Sequence, residues 1–174
     1  MVVSWIGIND VRVQEDVNVC MTQLFEMAEM MYLTGARHFI YITVPPLNRT
    51  PAGTSTPPPP LRNVFSRASL TLDNAHGWYT NGVLNWNTNL THSLQQYSSL
   101  HDDITISLYD SSRIFNRVLD DPQGYGFVDS NQVCSTGECV WFDNFHPGSA
   151  FYKVFAKDFA EFLEESVFVE GIVG

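Results

Sequence analysis

In the string Trp141-Phe142-Asp143-Asn144-Phe145-His146-Pro147, a carboxylate and an imidazole stand three residues apart. A tight turn puts both side chains on one side, so Asp143 can accept the imidazole Nδ1–H and leave Nε2 of His146 free as a base. Pro147 has no backbone donor and suits the start of a following helix. The Trp and Phe residues around the pair supply an apolar wall. The same spacing also serves as a plain cap or surface pair. A second string, Trp5-Ile6-Gly7-Ile8-Asn9-Asp10, lies where an apolar run ends. Gly7 permits close backbone approach. Asn9 offers an amide donor of the kind that stabilises a developing oxyanion, and loss of one such donor costs about 10²–10³ in rate. Taken alone, Asn9-Asp10 can equally turn the chain and cap the next helix.

Such groups need elements that bring them together. Val2-Val3-Ser4-Trp5-Ile6-Gly7-Ile8 is nearly continuous in apolar and β-branched residues, which predicts a strand covered on both faces, as in a parallel sheet. Ligands bind at the carboxyl ends of such strands. Residues 17–33 carry apolar positions at helical spacing, with Gly35 as the C-cap, and their methionines read as core packing. Residues 37–44 form a second buried strand stopped by Pro45-Pro46. Residues 48–60, with four consecutive prolines, read as an extended surface loop of polyproline character. Helical spacing over 63–100 is interrupted around His76-Gly77, and 104–109 is a third strand. A short helix over 112–119, a turn over 121–126 and a last helix over about 149–165 follow. That last helix aligns Phe151, Val154, Phe155, Phe159, Phe162 and Leu163 on one face. Strands alternating with helices predict an α/β fold with a parallel sheet.

The chain has 174 residues, enough for one domain, and 44% are apolar, which excludes wholesale disorder. A net charge of −10 opposes binding to nucleic acid or to an anionic membrane surface. Only 16% of residues are charged, against roughly 25% in an average soluble protein, so Asn, Thr, Ser and Tyr must supply the polar surface. No apolar stretch reaches the roughly 18 residues of a membrane span. Cys134 and Cys139 bracket a short Ser-Thr-Gly-Glu turn and can be bridged if it brings their Cα atoms within about 7 Å. Cys20 reads as a buried thiol. Asn48-Arg-Thr and Asn89-Leu-Thr are glycosylation sequons, Asn48 and Asn89 being the candidate acceptors, and they point to an oxidising, secretory compartment. The N-terminus shows no signal peptide. The five histidines show no metal-ligand spacing, and no cofactor is expected.

The two strings, in this order, resemble the SGNH hydrolases, also called the GDSL lipase/esterase family. Gly7-x-Asn9-Asp10 is similar to that family's third block, and Asp143-x-x-His146-Pro147 to its fifth. The intervening text resembles fungal members grouped with carbohydrate acetylesterases. Gly35-Ala36-Arg37 leads into a strand ending Val44-Pro45-Pro46-Leu47, and Asp121-Pro122 then precedes Tyr125-Gly126-Phe127 and the cysteine pair. The resemblance implies a three-layer α/β/α sandwich of SGNH/flavodoxin-like type and a serine-esterase mechanism on an acetylated carbohydrate or similar small ester. It assigns catalytic roles to His146, Asp143 and Asn9, with Gly7 beside them.

The family's first block carries the Gly-Asp-Ser nucleophile and its second an oxyanion glycine, and neither occurs in the 174 residues. The nearest string, Tyr109-Asp110-Ser111, lacks the glycine and follows the wrong strand. The expectation is therefore a single, partial domain over residues 1–174, truncated to about three strands, with the first two family strands absent. In a triad enzyme, losing the serine costs on the order of 10⁶ in turnover, so the chain alone should be weak or inactive. The alternative is a catalytically silent relative that binds a ligand or a complementing partner. With the family strand order 2-1-3-4-5, the strand at Val2 becomes an apolar edge, which predicts a homodimer or a complementing N-terminal segment there. The family also implies a secreted protein.

Overall fold

A computed structural model of the chain describes residues 1–13, 15–54 and 74–168. Its centre is a three-stranded, all-parallel sheet in the order β1-β2-β3, made of β1 (Val2–Ser4), β2 (His38–Ile42) and β3 (Thr105–Tyr109). Val2 pairs with Phe39, and Ile42 pairs with Tyr109. Helices α1 (Ile8–Val13), α2 (Val17–Leu33), α3 (Pro51–Thr54), α4 (Asn74–Leu100), α5 (Ser111–Asp120) and α6 (Ser149–Phe168) complete the described elements, with a 3₁₀ turn at Leu47–Arg49 and another at Gln123–Tyr125. Among them no helix is long and apolar enough to cross a membrane.

The period-2 alternation of β2 divides the core. Phe39 and Tyr41 face one layer, where Met21, Leu24 and Ala28 of α2 meet Trp86, Leu90, Leu94 and Tyr97 of α4. Ile42 and Tyr109 face the other layer, with Ile114, Phe115 and Val118 of α5 and Phe151 and Phe155 of α6. Parallel strands joined through helices give this α/β/α sandwich, as expected. Helix α2 runs over the residues that its apolar period predicts. It starts on Asp16, whose carboxylate accepts from the Asn18 N–H, and closes in a Schellman turn in which Ala36 donates to Met31 and Gly35 (φ +105°) to Tyr32.

Several expectations need correction. The first strand ends at Ser4, and Val3 is 47% exposed, because among the described residues β1 is the edge of the sheet and no layer covers it there. Of the α2 methionines only Met21 is buried, while Met27, Met30 and Met31 are 39–68% exposed, since they lie off the stripe that meets the sheet. Cys20 is half-buried, not buried, with Sγ 3.8 Å from an Asp10 carboxylate oxygen. Burial and then the nearby charge of Asp10 raise its pKa. The Pro/Thr segment is not extended at its start, since 47–49 and 51–54 form turns of helix. The rest of that expected loop lies outside the described residues, as does the helical spacing expected from residue 63 to 73. Where α4 is described, it passes through His76-Gly77 without a break.

Candidate active site

All three strands run toward one edge, and the residues just past their carboxyl ends interlock. Trp5 Nε1 donates to the Thr43 carbonyl at 3.2 Å, and its ring stacks on Phe155 of α6 at 4.7 Å. Asn87 of α4 clamps the end of β2 by accepting from the Val44 N–H at 2.9 Å and donating to the Val44 carbonyl at 3.0 Å. Ser111, the serine of the Tyr-Asp-Ser string, is fully buried. Its hydroxyl donates to the Thr43 carbonyl, and its N–H donates to Thr43 Oγ1. Asp110 beside it caps α5. That serine is committed to tying β2 to β3.

The loop carrying the dyad is built around Asp143. Its Oδ1 accepts from the backbone N–H groups of Phe145 (2.8 Å) and His146 (2.7 Å), while the His146 ring brings Nδ1 within 2.8 Å of Oδ2. Phe142 N–H closes the loop onto the His146 carbonyl at 2.8 Å. The expected tight turn therefore exists, and it turns the imidazole so that Nδ1 meets the carboxylate. Partial burial acts to raise the Asp143 pKa. Donation from Phe145, His146 and the imidazole outweighs it and holds the carboxyl below its ordinary value. The histidine side chain is 62% exposed. Trp141 anchors the loop: it is fully buried, with Nε1 donating to the Ser130 carbonyl at 2.7 Å. The expected Cys134–Cys139 bridge is present, with Cα atoms 5.6 Å apart, and Cys134 N–H donates to the Trp141 carbonyl. The disulfide thus staples the segment that holds the dyad.

The other string reaches the same place by a different route. Gly7 is buried at φ +105° after β1, its carbonyl accepts from Val11 N–H, and Trp86 packs against its Cα. Asn9 falls inside α1 instead of ending a strand, and it is exposed. A cavity of about 40 Å³ is walled by Trp5, Ile8, Arg12, Pro45, Phe145 and His146, with Phe115 and Trp141 in its lining. Ile8 and Arg12 flank Asn9, so the two strings converge there; Gly7 and Asn9 themselves stay outside the cavity wall. The arrangement can abstract a proton at His146 Nε2, and the Asn9 amide is exposed on the short helix whose Ile8 and Arg12 line the cavity. Sequence reasoning missed Arg12, Trp86 and Asn87, whose roles come from contacts across 43 residues for Asn87 and across elements for the others. The sequon asparagines are placed too: Asn48 lies in the 3₁₀ turn with its amide 3.4 Å from His76 Nε2, and Asn89 lies mid-helix in α4, donating to the Asn85 carbonyl.

A family model described as GDSL-like lipase/acylhydrolase matches residues 1–159. The chain belongs to this family. Its parallel sheet and flanking helices are consistent with the family's SGNH fold. An acetylesterase of Thermothelomyces thermophilus is 30% identical over 172 residues, a match covering 94% of this chain and 52% of the relative. This member of the GDSL-like family therefore spans about half the length of the curated relative it matches.

Proposed function

We propose that this chain forms the acid–base half of a serine-esterase site that cleaves short acyl esters, in particular acetyl esters of a carbohydrate or a similarly small molecule. His146 takes the proton of a serine hydroxyl and returns it to the leaving alcohol. Asp143 holds the ring with Nδ1–H inward and stabilises the imidazolium. Asn9 donates to the oxyanion, and Gly7, lacking a Cβ, lets Trp86 pack against the strand tip just before it. The observation that carries this reading is the 2.8 Å Asp143–His146 contact at an apolar cavity whose wall continues through Ile8 and Arg12, on either side of Asn9.

Cavity size supports a short acyl group. One water needs about 10–15 Å³ of such space, so about 40 Å³ is room for an acetyl-sized group. The acetylesterase relative points the same way. The sequence contains no Gly-Asp-Ser, so in this reading the nucleophile comes from a complementing strand–helix segment that pairs along the open edge of β1. The disulfide and the weakly charged, Asn- and Thr-rich composition fit an extracellular setting.

The test is hydrolysis of a chromogenic acetate ester by the chain alone, by the chain mixed with a strand–helix segment bearing Gly-Asp-Ser, and by the His146→Ala variant of that mixture. Turnover confined to the mixture, and falling by on the order of 10⁴-fold or more in the variant, is the expected outcome. Turnover by the chain alone that survives His146→Ala contradicts it. A mixture that binds the segment and hydrolyses nothing supports a catalytically silent relative instead.

A further inference from the structure

We propose that Arg12 is a positioning residue that sets the direction of the Asn9 amide. Its catalytic consequence rests on the esterase reading; its geometry does not. The Arg12 guanidinium carbon lies 4.0 Å from the centroid of the Phe145 ring, the residue next to His146. Nη1 of the same group donates to Asn9 Oδ1 at 3.3 Å. One side chain therefore touches both strings, and it lines the cavity together with His146.

A guanidinium has five donors and no acceptor, so the atom of Asn9 facing it must be the oxygen and the NH₂ group must lie on the other side. Among the described residues no other hydrogen bond holds the Asn9 side chain. An exposed primary amide without such a partner rotates between two orientations of similar energy, and one of them presents an oxygen where an oxyanion needs a donor. Stacking on Phe145 fixes the plane of the guanidinium, and the planar fork can stack and donate at once. A lysine ammonium is a point charge without a plane and cannot do both. The same contact couples the amide to the loop that carries the dyad, so Asn9 and His146 keep a common register.

The experiment uses the full-length chain. The side-chain amide resonances of Asn9 are recorded in ¹⁵N-labelled protein and in Arg12→Ala and Arg12→Lys, with thermal melts to verify folding. In parallel, acetate-ester kinetics are measured with the Gly-Asp-Ser segment added. Both variants are expected to shift the Asn9 pair and speed its rotation, and to lower kcat by about tenfold with KM unchanged. Asn9 resonances that are identical in Arg12→Ala overturn the proposal, and so does full restoration of the wild-type resonances by lysine. If the mixture hydrolyses nothing, the esterase reading fails while the resonances still decide the orientation of Asn9.

Discussion

Replacing Gly7 by alanine tests how the strand tip is built. The residue sits at φ +105°, where an L side chain is strained by about 1–3 kcal/mol. An added Cβ would also overlap the Trp86 indole, with Cζ2 at 2.6 Å and Cε2 and Nε1 nearer still. Trp86 is 3% exposed and packed within the α2/α4 layer, so it has no free space to move into, and overpacking of that kind costs a further 1–3 kcal/mol or so. The two contributions together give about 2–6 kcal/mol. They separate in a double-mutant cycle with Trp86→Leu, whose side chain ends at Cδ and so lacks all three overlapping atoms. In that background Gly7→Ala should keep only the backbone cost, leaving a coupling of about 1–3 kcal/mol. Urea unfolding of the four chains measures it. A cost below about 1 kcal/mol, or the same cost in both backgrounds, refutes the argument that Gly7 is required by Trp86 and by its backbone angle.

Three further outcomes follow from the same geometry. Replacing Cys134 and Cys139 together by serine opens a loop of about six residues; the chain-entropy relation gives about 2 kcal/mol for that closure, read as a fall of roughly 4–8 °C in the melting temperature. Because the Asp143 pKa is depressed, its contribution to the loop is present above the ordinary carboxylate value and is lost as pH falls through the lower folded value. The amide resonances of Phe145 and His146 should therefore hold their positions down to about the ordinary carboxylate pKa of 3.9 and move only below it, and Asp143→Asn should abolish that transition. The open edge of β1 should make the chain self-associate or bind a complementing segment, and Val3→Lys should weaken this in sedimentation without lowering the melting temperature.

Much of this was legible in the sequence, for stated physical reasons. Helix α2 was readable because its apolar period and Gly35 agree, and the structure adds the Asp16 cap at its start. The Asp143–His146 turn was readable because an aspartate three residues before a histidine satisfies both backbone and ring locally. The start of the chain was read less well. Its place at the sheet edge was expected, but an apolar run such as Val2 to Ile8 does not mark where the strand ends, and nothing local says that Asn9 will enter a helix. The exposed methionines of α2 misled for a related reason, since periodicity gives the stripe but not its width. Arg12, Trp86 and Asn87 could not be read at all. Each acts on a residue brought near only by folding: Phe145, Gly7 and Val44.

The central claim is that the dyad and the Asn9 amide address one pocket, and titration of the chain with N-methylacetamide, a soluble mimic of an acyl group, tests it most directly. The account expects the His146 ring protons and the Asn9 side-chain amide to shift together along one binding curve, and both responses to disappear when a bulky side chain at Ile8 fills the cavity. Separate curves for the two groups, or a response at one with none at the other, would contradict it.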